Sequence, residues 1–236
     1  PFTTSYTTRF PEYVAARFRA PESLGYAFLR RFHNASATTM VATRSMREEL
    51  ERRGFSNLGM WSRGVDVGLF RPVAPRGEAL PRPIFVTVGR VAVEKNLDAF
   101  LSLDLPGSKV VIGDGPQLDD LRARYPKAHF LGLLEQEALV AQLSNADVFV
   151  FPSRTDTFGL VQLEALACGT PVAAFPVTGP LDVIGDAPVG ALSEDLRAAC
   201  LAALDLPREG CRAFAEARSW ETTARQFLEM VKPLRA

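Results

Sequence analysis

"DVFVFPSRTDTFGLVQLEALACGTPV" (Asp147–Val172) decides how this chain folds. Its first part, DVFVFPS (Asp147–Ser153), is apolar without polar alternation, which suits a strand covered on both faces. Phe158-Gly159 then turns the chain, with Gly159 supplying backbone freedom beside a bulky side chain. A helix is expected from near Leu160. TPVAAFPV (Thr170–Val177) is again strand-like. Strand, turn, helix and strand in this order make one βαβ unit of a parallel sheet.

The same alternation runs outward from this stretch. PIFVTVGR (Pro83–Arg90), KVVIGDGP (Lys109–Pro116) and AHFLGLL (Ala128–Leu134) read as strands. NLDAFLSL (Asn96–Leu103), QLDDLRARY (Gln117–Tyr125) and EQEALVAQLSNA (Glu135–Ala146) read as the helices between them. Residues 84–218 are therefore expected to form an α/β domain: a Rossmann-like, doubly wound parallel sheet with helices on both faces. Ligands of such sheets sit at the carboxyl ends of the strands. GYAFLRRFHNASATTMVATRSMREELERRGF (Gly25–Phe55) reads as helix, the short strand TTMVAT, and helix. It looks like the tail of a second, truncated βα domain over residues 1–71. The Gly-, Pro- and Arg-rich segment around residues 72–83 is the expected linker. Residues 219–236 are expected to form a terminal helix that packs back on the amino-terminal part.

Composition narrows the function classes. Formal charge balances at 27 basic and 27 acidic side chains, which argues against a generic nucleic-acid binder. Residues 1–71 hold eleven Arg against six Asp or Glu, and this basic front suits an anionic acceptor or membrane surface as well as an ordinary solvated face. YAFLRRFH (Tyr26–His33) fits packing between helices, and its aromatic and basic mixture also suits anionic lipid. Cys168, Cys200 and Cys211 have no CxxC spacing and read as buried residues of a reducing compartment. No apolar run approaches the ~20 residues a membrane span needs. His33 and His129 lack metal-ligand spacing, and no D-x-D is present to chelate a metal. The chain opens on Pro1-Phe2-Thr3 and its first methionine is Met40, so it is expected to be a piece of a longer protein.

The residues at the strand ends carry the chemistry. A helix beginning near Leu160 has amide N–H groups without intrahelical partners and a positive dipole end, which together favour an anion. Glu164, about one turn further on, is suited to accept hydrogen bonds from vicinal hydroxyls. Asp156 precedes the helix on the loop. In VTVGRVAVEKN (Val86–Asn96), Arg90 and Lys95 follow a strand end at Gly89, and such a pair suits a diphosphate. The plainer alternatives are that Asp156 caps the helix, Glu164 is solvated, and Glu94 pairs with Lys95 on the surface. VIGDGP (Val111–Pro116) adds a tight turn at Gly113, a weak signal alone. Hydroxyls, phosphate and hydroxyls again describe a nucleotide sugar.

Taken in order, VGRVAVEKN, VIGDGP, FLGLL, ADVFVFPS, DTFGLVQLEALACGTPV and SWE (Ser219–Glu221) resemble the carboxyl-terminal half of a retaining glycosyltransferase of the GT-B architecture, glycosyltransferase family 4 (group 1). The wording RTDTFGLV is similar to the branch containing diacylglycerol glycosyltransferases and GDP-mannose-dependent α-mannosyltransferases. The resemblance implies an enzyme that moves a sugar, mannose in that branch, from a nucleotide-diphosphate donor to a hydroxyl of a lipid or glycan. It implies no metal or other cofactor, no nucleic acid, and a cytoplasmic setting with peripheral contact at the inner membrane face. By the same resemblance Arg90, Lys95 and Asp156 are catalytic. Arg90 and Lys95 would hold the diphosphate, with Gly89 and Gly113 at the adjoining turns. Asp156 matches the first acid of the family's E-x7-E signature, near the donor sugar, and Glu164 the second, on the ribose. Main-chain groups of Thr157, Phe158, Gly159 and Leu160 would meet sugar and phosphate, and those near Gly132 and Leu133 the base. Two departures stand out: the first acid is Asp rather than Glu, and Thr7 occupies the place of a His that relatives carry in SYHT. A non-catalytic nucleotide-binding fragment and a nucleotide-sugar epimerase of the same architecture are the alternatives.

Overall fold

The structure, a computed structural model, describes residues 2–7, 11, 21–74, 80–156 and 158–231. The chain divides into two compact units, one holding residues up to Arg63 together with those from Trp220 onward, the other Gly64–Ser219.

In the first unit β1 (Thr3–Tyr6), β2 (Thr38–Val41) and β3 (Leu58–Met60) form a parallel sheet in that order. Helices α1 (Glu22–Asn34) and α2 (Arg44–Arg52) connect these strands, and the Thr43 side chain caps α2 by accepting from the Met46 amide at 3.2 Å. Tyr6, Tyr26, Val41, Leu50 and Phe55 make a small core. His33 is buried there with its Nδ1 2.9 Å from Thr4 Oγ1, and burial lowers its pKa. The packing expected of Tyr26–His33 therefore holds for Tyr26 and His33, whereas Phe28 and Phe32 are exposed. With exposed Leu24 they recur every fourth residue and share one face of α1. The terminal helix Trp220–Met230 belongs to this unit: Trp61 Nε1 donates to Thr223 O at 3.2 Å and its ring meets Phe227 at 5.3 Å between centroids.

The second unit is built on a six-stranded sheet of β4 (Ile84–Val88), β5 (Ser108–Ile112), β6 (His129–Gly132), β7 (Val148–Phe151), β8 (Val172–Ala174) and β9 (Gly190–Leu192). All pairings are parallel and the order is β6-β5-β4-β7-β8-β9. The uninterrupted apolar strands are explained by two cores, one on each face. Ile84, Val86, Phe149 and Phe151 enter one core. Their neighbours Phe85, Val148 and Val150 enter the other. Successive strand side chains point to opposite faces, so a strand between two cores has no face left for a regular polar alternation. Helices α3 (Leu97–Leu101), α4 (Leu118–Arg124) and α8 (Leu196–Ala203) cover one face. Helices α5 (Gln136–Asn145), α6 (Leu160–Ala167) and α9 (Arg208–Glu216) cover the other, with the short α7 (Thr178–Val183) between β8 and β9. The three cysteines are free and buried, and burial pushes the Cys168, Cys200 and Cys211 thiols up to about 11, 12 and 11.

Residues 64–71, expected with the amino-terminal part, pack instead into the second unit. Val65 and Phe70 are buried in its core, and Val65 N–H donates to Arg218 O at 3.0 Å. Arg212 fixes this segment. Its guanidinium donates to Phe70 O at 2.7 Å, Ala167 O at 3.0 Å and Val67 O at 3.0 Å. One cation thus satisfies the carbonyls of an irregular segment and the last residue of α6. Arg212→Leu is expected to lower unfolding free energy by about 3 kcal/mol, since hydrogen bonds to a charged donor are each worth roughly 1.5–3 kcal/mol and the losses overlap. A urea unfolding midpoint unchanged from wild type would refute this anchoring role.

Candidate functional site

The chain leaves β4 outward through β5 and β6, then returns to β7 on the opposite side of β4. The two loops that follow β4 and β7 therefore diverge, and a crevice opens at this switch point. Gly89, Arg90 and Lys95 come from the first loop, and Pro152 to Gly159 from the second.

The β4 and β5 ends approach closely. Gly89 N–H donates to Ile112 O at 3.0 Å and Gly113 N–H to Gly132 O at 2.8 Å. A Cβ on Gly113 would lie 1.9 Å from Gly89 O, and its φ of +134° is one that side chains avoid. Only glycine fits there. Gly89, Arg90, Lys95, Phe151, Pro152 and Ser153 line one cavity at these ends.

Cross-links tie the two loops together. Lys95 closes a 3₁₀ turn (Val93–Lys95), and Asn96 follows with a left-handed φ of 52°. Asn96 Nδ2 donates to Pro152 O at 3.0 Å, and Ser153 Oγ to Glu94 O at 3.2 Å. Lys95 Nζ then reaches both Asp156 carboxylate oxygens, each at 2.8 Å. Lys95 pairs with Asp156, not with Glu94, whose carboxylate is 3.9 Å from the Arg90 guanidinium. Arg90 is exposed.

Asp156 does not cap α6. Gly159 holds the N-cap position with φ +77°, and no side chain caps the helix. Glu164 is half-buried, burial raises its pKa, and its carboxylate makes no hydrogen bond or ion pair with any described residue. Partial burial thus sets Glu164 apart from a fully solvated side chain. Gly132 ends β6, and Leu133 after it is exposed. Phe158 packs against the core while Leu160 is exposed. Thr157 lies outside the described residues. The structure brings Gly89, Arg90, Lys95 and Asp156 together and chains Gly113 and Gly132 to Gly89 through the sheet. Glu164 stands apart from the ion pair. Asn96, Ser153 and Gln162 escaped the sequence reading, although an Asn directly after Lys95 is a recognisable left-handed residue.

An unpaired, desolvated carboxylate opposes folding. Because the folded-state pKa of Glu164 is raised, its protonated form is favoured, and stability is lost as pH rises through that pKa. Glu164→Gln is expected to raise the Tm of the free protein at pH 7 by about 2 °C, with the difference vanishing below the ordinary carboxylate pKa. A lower Tm than wild type at pH 7 would show that Glu164 has a stabilising partner.

The family model described as "Glycosyl transferases group 1" matches residues 82–206. Sulfoquinovosyl transferase SQD2 of Arabidopsis thaliana is 33% identical over 201 residues, 78% of this chain and 39% of the relative. A GDP-mannose-dependent alpha-mannosyltransferase of Mycolicibacterium smegmatis is 33% identical over 210 residues, 85% of this chain and 55% of the relative. The chain thus spans about half or less of these relatives. Sucrose-phosphate synthase from Thermosynechococcus elongatus superposes with a TM-score of 0.72 at 23% identity, over 97% of this chain and 66% of the other. Anabaena HepE in complex with UDP and glucose gives 0.71 at 15% identity, over 97% and 70%. These structures share the α/β fold, with its parallel sheets, expected of the GT-B type.

Proposed function

The chain belongs to the group 1 glycosyl transferases, and from that membership we propose that its second unit binds the nucleoside diphosphate of a sugar donor across the β4–β7 crevice. The single observation that carries this is the Lys95–Asp156 pair, a cation and a carboxylate held at 2.8 Å where the strand order reverses. Relatives named as GDP-mannose-dependent mannosyltransferases support mannose as the sugar and guanosine as the nucleoside.

The reaction breaks the bond between the anomeric carbon and the β-phosphate oxygen. The acceptor hydroxyl bonds to the same face of that carbon, and its proton passes to the departing phosphate. Charge accumulates on the diphosphate as the bond lengthens. Lys95 and Arg90 stabilise that charge, together with the amide end of α6, and the stabilisation grows toward the transition state. Lys95 has three donors and keeps Asp156 while contacting phosphate. Asp156 in turn faces the sugar, one methylene further back than a glutamate would. Glu164 accepts from the ribose hydroxyls, which supply the donors its burial withholds. In this reading the charge is balanced without a metal, so chelator leaves nucleotide binding unchanged.

Titration calorimetry of the chain with GDP and UDP tests the assignment. Lys95→Ala is expected to weaken diphosphate binding by about tenfold or more and to lower turnover of the full-length enzyme by about a hundredfold. Asp156→Asn is expected to leave diphosphate binding near the wild-type value and to lower turnover, whereas Glu164→Gln weakens nucleotide binding. Equal affinity in wild type and Lys95→Ala would remove the cation from the site.

The acceptor is a hydroxyl of a lipid or glycan, reached from the cytoplasmic side. The exposed Leu24, Phe28 and Phe32 on α1, with exposed Arg30 and Arg31 on the same helix, support contact of the first unit with anionic lipid. Among the described residues no helix is long and apolar enough to cross a membrane. Cosedimentation with phosphatidylglycerol vesicles is expected, and Phe28→Ser with Phe32→Ser should abolish it. Binding unaffected by both substitutions would place the contact elsewhere.

A further inference from the structure

Gln162 is wholly buried in the first turn of α6, among leucine and alanine. Its Nε2 donates to Phe158 O at 2.8 Å, while its Oε1 is buried and accepts nothing. A buried acceptor without a donor costs stability. Leucine or methionine would fill much the same space at no such cost. The polar side chain therefore works against the stability of the core.

What the bond accomplishes follows from peptide geometry. The Phe158 carbonyl and the Gly159 N–H belong to one peptide plane, and in a trans peptide they point in opposite directions. Gln162 draws the carbonyl inward, so the Gly159 N–H is turned away from the helix interior, where it donates to no described residue. The loop has little room to tilt. A Cβ on Gly159 would lie 2.7 Å from Phe151 Cζ and 2.8 Å from Gln162 Nε2, and one on Gly179 would lie 2.6 Å from Asp156 O. The turn is wedged between β7 and the start of α7, and Gln162 sets its rotation.

We propose that Gln162 is a positioning residue that aims the Gly159 amide at the diphosphate of the donor. This rests on the reading that the amide end of α6 meets that diphosphate. Binding of GDP and UDP to the chain by calorimetry, with Tm measured in parallel, tests it. Gln162→Leu is expected to keep or raise the Tm and to weaken diphosphate binding by about tenfold. Gln162→Glu supplies the distinguishing readout. A protonated Glu can donate to Phe158 O and an ionised one cannot, so its affinity relative to wild type at the same pH should recover as pH falls from 8 to 5. Wild-type affinity in Gln162→Leu would overturn the inference and leave the nucleotide site intact. Lowered Tm with lost binding in both variants at every pH would mark a folding role and also overturn it. Failure of the wild-type chain to bind either nucleotide would remove the donor site and this inference with it.

Discussion

The pairing of β4 with β7 is the constraint on which the second unit depends. Phe85 lies opposite Val148 and Val86 opposite Phe149 in a parallel register. This contact folds the chain back after β6 and divides the sheet into an outgoing half and a returning half. Everything at the site is a consequence. The loops after the two strands start side by side and separate, and Lys95 meets Asp156 across 61 residues of sequence. The side chains that make the pairing stable lie in both cores, so the crevice is backed by packed apolar layers rather than by solvent. A cation, a carboxylate and a helix end fixed on such a base lose little freedom when a ligand arrives, which favours tight electrostatic stabilisation.

The two acids of the site are held in opposite conditions. Asp156 is matched by Lys95, and Glu164 is desolvated without a partner. Gln162 carries a second unsatisfied group within one turn of Glu164. Unpaired polar groups are scarce in protein interiors, and here two fall on one short helix beside the crevice. Stability has been given up locally on the helix that borders the crevice. Arg212 offsets such losses at the other end of α6, where its guanidinium holds the Ala167 carbonyl and the irregular segment before β4.

The sheet was largely readable because doubly buried strands leave unbroken Val, Ile and Phe runs, as in Ile84–Val88 and Val148–Phe151. Short strands with small residues leave no such run: Gly190–Leu192 and Leu58–Met60 are strands only because neighbours pair with them. The helices Leu196–Ala203 and Arg208–Glu216 also went unread, although each buries one face, Leu196, Ala199, Cys200 and Ala203 in the first and Cys211 and Ala215 in the second. The boundary near residue 64 was hidden because Gly, Pro and Arg around it mark irregular backbone, while the packing of Val65 and Phe70 is decided by distant residues such as Arg212. Within the site, residue types and strand-end positions pointed to Arg90, Lys95, Asp156 and Glu164. The partnership of Lys95 with Asp156 rather than Glu94 is a product of the switch in strand order and has no local trace. Gln162 was invisible because a polar residue in a helix reads as solvent-facing until burial is known.

The most direct measurement is a crystal structure of the chain with GDP bound. The diphosphate should lie within hydrogen-bond distance of Lys95 Nζ and the Gly159 amide, with the ribose hydroxyls on the Glu164 carboxylate. A nucleotide bound elsewhere on the chain, with Lys95 and Glu164 touching no part of it, would contradict the account.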